Sequence, residues 1–327
     1  MKTPVAPSRS EVQAEAPPPP EIEVRSPRQI ARVRRRRAIG RSWGQYRRNK
    51  LGMTGLVILV FFGGMAITSL FLDQSGLKKT LVTEETIAPC TFRDLPCPPN
   101  ANNPLGTDRD GRSVLTLVIH GSRVSLLVGL TASVITMVVG SLVGIVAGFG
   151  GRFTDIVLMR AADFLLVIPW LALAIVLASI FGKNIFVIIA IIGFTSWPGA
   201  ARLIRAQTLS VKEHLYVERS KALGAGGWHV VSRHILPNVM PVILANAILT
   251  VAIAILSESG LSFLGLGDPL RVTWGQIIEE AFSRGATSIG AWWWLLAPSF
   301  CIVLVVLGFT MVGYALDEII NPRIRER

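Results

Sequence analysis

Charge is scarce in this sequence, and acidic charge scarcest. Lys, Arg, Asp and Glu make up 17% of 327 residues, and Asp and Glu number 21 against 33 Lys and Arg. A soluble domain carries about 25% charged residues. Cysteine is nearly absent: three residues, none in a Cys-x-x-Cys pair, which excludes a disulfide-dense scaffold or a cysteine zinc site. Four histidines, His120, His214, His229 and His234, show no metal-ligand spacing and read as interfacial or surface groups. The phosphate-binding Gly-x-x-x-x-Gly-Lys-Ser/Thr loop, His-Glu-x-x-His and Gly-x-Ser-x-Gly are all missing. Nothing in the chain therefore points to hydrolysis or to metal chemistry.

What is present is apolar. Hydrophobic residues form 51% of the chain, and the mean hydropathy is +0.52. Apolar runs of roughly 20 residues recur, the length a helix needs to cross the hydrocarbon core. Six spans follow, at about 51–72, 123–147, 156–180, 185–206, 238–256 and 291–316. Pro169 and Pro198 should kink the third and fourth. Trp292-Trp293-Trp294 suits an aromatic belt at the start of the sixth.

The net charge of +12 comes from cations at the ends of apolar runs, as when cytoplasmic loops retain Lys and Arg. Topology explains it better than nucleic acid does, so no nucleic-acid partner is expected. Residues 1–24, polar and containing Pro17 to Pro20, should be a disordered tail, with no cleavable signal; the first span then acts as an uncleaved anchor. Residues 25–50 carry eleven Arg or Lys with Trp43 and Tyr46 interleaved. They form either a helix lying on the lipid surface or a solvated basic stretch that only fixes orientation. The loop 73–121 is proline-rich and mixed in charge, which suits the external side. The core 122–316 holds spans two to six and a polar cytoplasmic loop, 207–237, and 317–327 is a cytoplasmic tail. Both termini face the cytoplasm, in a bacterial or archaeal cell (inner) membrane.

The spans hold almost no central charge. Arg160 and Asp163, three residues apart on one helical face near the start of the third, are placed to form a local pair at the inner interface. An ion-coupled carrier usually keeps ionisable groups deep in the membrane, so energy should come from a partner. Glu258, placed just past the outer end of the fifth span, is either a contact for a cationic group in the pathway or an interfacial glutamate that is solvated or paired. Cys90 and Cys97 flank six residues of the external loop, on the oxidising side in most bacteria. A disulfide between them is expected, worth about 2–3 kcal/mol on the chain-entropy model.

The cytoplasmic loop carries the strongest motif. Tyr216-Val217-Glu218-Arg219-Ser220-Lys221-Ala222-Leu223-Gly224-Ala225 is followed by Ile235-Leu236-Pro237-Asn238. Residues 212–223 suit a short helix too polar to span. Glycines at 224, 226 and 227 permit a sharp turn after it, and Pro237 fits the first turn of the next helix. The pattern resembles the coupling motif of ABC importer membrane subunits, Glu-Ala-Ala-x-x-x-Gly followed by Ile-x-Leu-Pro. Glu218, Gly224, Leu236 and Pro237 match; Arg219, Ser220 and His234 depart. Pro104-Leu-Gly-Thr-Asp-Arg-Asp-Gly-Arg112, Leu261-Ser-Phe-Leu-Gly-Leu-Gly267 with Trp274-Gly275, and Asn321-Pro-Arg323 look like segments of the dipeptide/oligopeptide permease subfamily, in its second membrane subunit.

That resemblance implies an all-α polytopic membrane protein of the type I ABC importer fold, with a cytoplasmic coupling helix. It implies a non-catalytic subunit that pairs with a second, homologous permease. Two ABC ATPase subunits dock below and an extracytoplasmic binding protein delivers substrate above. ATP and Mg would be bound by the ATPases, with no cofactor in this chain. Residues 216–225 would form the docking surface. Peptides are the expected cargo; nickel complexes, glutathione and oligosaccharides are carried within the same subfamily. A self-contained secondary carrier or channel, or a scaffold without transport, are the alternatives from other classes.

Overall fold

The computed structural model describes residues 44–71 and 87–320. The tail 1–24, most of the basic segment 25–50, the loop residues 72–86, and the chain end with Asn321-Pro-Arg323 lie outside them. Every extended regular element among the described residues is helical.

Helix α1, Lys50–Thr68, starts at Asn49, whose side chain accepts from the Gly52 N–H at 3.0 Å. Helix α2, Val114–Phe149, has 36 residues and is about 54 Å long. It begins well before the span expected at 123–147, because nothing between Val114 and Arg123 breaks a helix.

The third span is broken rather than kinked. Helix α3, Arg152–Val167, and α4, Trp170–Phe181, meet at 87°. Proline forces its predecessor out of the α region, and Ile168 is extended, at φ −75° and ψ 126°. Helix α5, Ile185–Thr195, passes through Ser196 into α6, Trp197–Lys212. Pro198 sits in the first turn of α6, where its missing N–H costs nothing. It starts a helix there instead of kinking one.

Helix α7, Leu215–Ala222, is a short connector. A turn of helix, Gly227–Val230, and a π-helical turn, Val231–Ile235, lead into α8, Leu236–Leu261, which a second π-helical turn, Ser262–Leu266, extends. Helix α9, Trp274–Ser283, buries Trp274, Gly275, Ile277 and Ala281. Helix α10 is Trp292–Ile320. Its tryptophans do not form a belt as a set. Trp294 is fully buried and Trp293 donates to the Thr107 carbonyl at 3.2 Å, leaving only Trp292 exposed. Among the described residues, five helices are long and apolar enough to cross a membrane, or six if the bent α3–α4 pair is one span.

Small residues bring these helices together, as in other membrane bundles. Gly140, Gly144 and Gly148 form a stripe on α2 at four-residue spacing. A methyl at Gly144 would lie 2.6 Å from the Ala201 carbonyl oxygen, at Gly140 2.7 Å from Ala200 Cβ, and at Gly148 2.8 Å from Thr208 Cβ. The backbone of α6 therefore rests directly on α2. Ser133 donates to the Ala247 carbonyl at 2.7 Å and Thr136 to the Gly193 carbonyl at 3.2 Å, fixing α8 and α5 to the same helix.

Substitution Gly144→Ala should lower the thermal stability of the detergent-solubilised protein by about 1–3 kcal/mol, the usual cost of overpacking. Gly199→Ala, on α6 with nothing within 4 Å of the added methyl, should lower it by none. Equal melting of the two variants would contradict the close α2–α6 packing.

Candidate functional site

The α7 knob is built by a start, an anchor and a stop. His214 is extended, and its carbonyl accepts from the Val217 N–H at 2.8 Å and the Glu218 N–H at 3.2 Å, opening the helix. Val217 is fully buried with Ile145, Ile204, Val211, Val230, Ile235 and Val239. This one side chain pins a helix that is otherwise mostly exposed. At the far end Gly224 adopts φ +84°. Its N–H donates to the Lys221 carbonyl at 2.9 Å and the Ala225 N–H donates to the Ser220 carbonyl at 3.1 Å. These two bonds form a Schellman turn, which a glycine at the left-handed position makes without strain.

Cations tie the knob to the end of α2. Lys221 Nζ lies 5.1 Å and Lys212 Nζ 5.9 Å from the centre of the Phe149 ring, within cation–π range. Lys212 also donates to the Gly148 carbonyl at 3.3 Å. Glu218, Arg219, Lys221 and Ala222 are exposed, and Ser220 is half-buried. Apolar side chains stand out beside them: Leu223 at 89% exposure, Trp228 at 82% and Leu215 at 70%, with Tyr216 partly open. Tyr216 lies between His214 and His234 at ring distances of 5.5 and 5.8 Å, and His229 follows at 6.0 Å from His234. An apolar patch rimmed by cations suits contact with another protein.

A polar lobe lies at the other end of α2. Cys90 and Cys97 are disulfide-bonded, their α-carbons 6.3 Å apart. The Cys97 N–H donates to Thr107 Oγ1 at 2.8 Å, and the Thr107 N–H donates back to the Cys97 carbonyl at 3.0 Å. Arg112 joins Asp108 at 2.5 Å and Glu280 at 2.7 Å, while Arg284 joins Asp110 and Glu280, each at 2.9 Å. Burial pushes the Asp108 carboxyl above its usual range, and Arg112 offsets part of that. Burial also opposes the Arg112 charge, yet Asp108 and Glu280 hold its pKa above the ordinary value. The network clamps α9 to residues 108–112.

Glu258 lies inside the α8 helix rather than past the end of a span, because no breaker intervenes before Gly265, at φ +76°. Its side chain is 1% exposed. Ser262 Oγ donates to it at 2.7 Å and Ser259 Oγ at 3.5 Å. It is held by hydroxyls where α8 meets α9, with Gly275 packed against Ser259.

Membrane helices α3 and α6 carry further charges, at Asp155, Arg202 and Arg205. Asp155 accepts from both Nε and Nη2 of Arg205, the latter at 2.6 Å. Asp163 pairs with Arg202 at 2.5 Å, not with Arg160, because α6 lies alongside. Arg160 is exposed and, among the described residues, has no ion pair or hydrogen bond. Two arginines three residues apart within a predicted span, Arg202 and Arg205, were the signal in the sequence.

Residues 140–326 match the family described as binding-protein-dependent transport system inner membrane component. Residues 39–78 match the N-terminal transmembrane domain of oligopeptide transport permease C. The dipeptide transport system permease protein DppC of Bacillus subtilis (strain 168) is 35% identical over 285 residues, 87% of this chain and 85% of that protein. The oligopeptide transport system permease protein OppC of the same strain is 33% identical over 284 residues, 86% of this chain and 88% of that protein. A putative peptide permease protein of Brucella suis biovar 1 is 39% identical over 219 residues, 67% and 72% respectively. The first region alone spans more than half of the chain and takes in α3 to α10, so this chain belongs to the family of binding-protein-dependent transport system inner membrane components.

Proposed function

We propose that this chain is one of two related membrane subunits of an ATP-driven importer of di- and oligopeptides. Its own work is mechanical and non-catalytic. The observation that carries the reading is α7: a short helix pinned by Val217, closed by the Gly224 turn, with Leu215, Leu223 and Trp228 turned outward. In the proposed assembly this knob sits in a cleft on a cytoplasmic ATPase subunit, and residues 216–225 make the contact. A second ATPase serves the partner permease, and ATP and Mg bind in the ATPases. ATP-driven closure pulls the knob, and α6 and α8 carry the movement into the membrane. The naming of its relatives as dipeptide, oligopeptide or peptide permeases supports the cargo class.

In this reading α7 and both termini lie in the cytoplasm, as the cations of 207–237 favour. The lobe of Cys90, Cys97 and the Asp108–Arg112 network lies outside, where an extracytoplasmic binding protein delivers peptide. A disulfide there stiffens the proline-rich loop that meets it.

Gly224→Val tests the docking. A β-branched residue at φ +84° costs of order 1–3 kcal/mol, although a side chain there has open space. The variant should remain in the membrane while peptide uptake per ATP hydrolysed falls about tenfold or more. Unchanged uptake would count against α7 as the coupling element.

The loop is tested by thiol counting. Denatured protein from the membrane should offer one reactive thiol, Cys301, before reduction and three after. Three before reduction would contradict an oxidised external loop.

A further inference from the structure

Helices α3 and α6 belong to segments apolar enough to span a membrane, where charge is expensive. Ionisable groups at membrane depth face protein or water rather than lipid. Asp155–Arg205 and Asp163–Arg202 hold α3 alongside α6. Asp163 is eleven residues into α3 and Arg202 ten residues before the end of α6, about 15 Å along each helix. Arg202 and Asp163 keep 52% and 42% of their side-chain surface open. Arg160, one turn before Asp163, is exposed and has no partner among the described residues. Just beyond, α4 leaves at 87°, with Val167 and Pro169 uncovered. Backbone interrupted at membrane depth is tolerated against protein or a water-filled cavity, not against lipid.

We propose that this face lines the water-filled translocation path and that Arg160 binds the carboxylate terminus of the peptide in transit. A guanidinium with no internal partner offers paired donors to a carboxylate. The Asp163–Arg202 pair beside it compensates its own charges and leaves Arg160 for the cargo. The site holds the cargo by its carboxylate terminus, which every linear peptide shares. That fits a channel that must pass many side chains. The inference rests on the peptide-importer reading.

The test uses the complete transporter in proteoliposomes: this chain, the partner permease, the ATPases and the binding protein. A tripeptide is supplied as the free acid and as the C-terminal amide. Arg160→Gln should cut uptake of the free acid about tenfold and change uptake of the amide less than twofold, with Arg160→Lys intermediate. Because the binding protein is unaltered, its own preference cancels between variant and wild type. Equal uptake of both peptides by Arg160→Gln and wild type would overturn the assignment. ATP-driven uptake of some other cargo but of neither peptide by the wild type would instead remove the peptide reading and this inference with it.

A second arm reads the lining without transport. Arg160→Cys in a Cys301→Ala background should react with a charged, water-soluble thiol reagent in the assembled transporter, and ATP turnover should alter the rate. A thiol inaccessible in every state would overturn the proposal and place Arg160 against the partner subunit. Arg160→Gln activity that varied only with the anionic-lipid content of the vesicle would assign Arg160 to lipid headgroups and overturn it equally.

Discussion

The close approach of α2 and α6 is the constraint on which the rest of this structure depends. Lipid supplies no hydrophobic drive for one apolar helix to choose another, so contact must come from shape. Gly140, Gly144 and Gly148 remove the side chains that would hold α6 away. Everything with a functional role hangs from that pair. Helix α6 carries Arg202 and Arg205 and leads through Glu213 and the extended His214 into α7. The far end of α2 offers Phe149 and Gly148 to Lys221 and Lys212. The near end leads directly into the Asp108–Arg112 clamp.

In the proposed function, the closely packed α2–α6 pair with a knob at its foot acts as a lever. Val217 joins residues of α2, α6 and α8 in one cluster, so a pull on α7 reaches three membrane helices at once. Helix α8 has π-helical turns at both ends, and such turns frequently accompany functional sites. At its far end Gly275 packs against Ser259 and joins it to α9, which the Arg112 and Arg284 ion pairs bind to the polar lobe. A continuous chain of packed elements thus connects the knob to the opposite end of the protein.

Much of this was legible in the sequence, and the reasons differ by element. Apolar runs of membrane length identified the spans because hydrophobicity alone specifies them. Gly224 and Pro237 marked the knob because turn chemistry is local. Boundaries were less readable: polar residues such as His120 and Glu258 suggested span ends, yet both helices continue past them, because packing covers His120 and Ser259 and Ser262 one turn on hold the Glu258 carboxyl. Pro169 gave a break of 87° where a kink was expected, since the extended Ile168 before it ends α3 outright. Pairing between helices was invisible. Asp163 bonds Arg202, 39 residues away, and no spacing rule reaches that far. The tryptophans of 292–294 likewise divide between core, lobe and surface according to what packs against them.

Site-directed photo-crosslinking from position 223 tests the central claim most directly, that α7 receives the work of a partner ATPase. Leu223 is 89% exposed in this chain alone, so a crosslinking residue there leaves the fold undisturbed. In membranes holding the whole transporter, it should join this chain to an ATPase subunit, with a yield that changes when ATP is bound. Crosslinks confined to lipid, or to a protein on the side of the Cys90–Cys97 loop, would contradict the account.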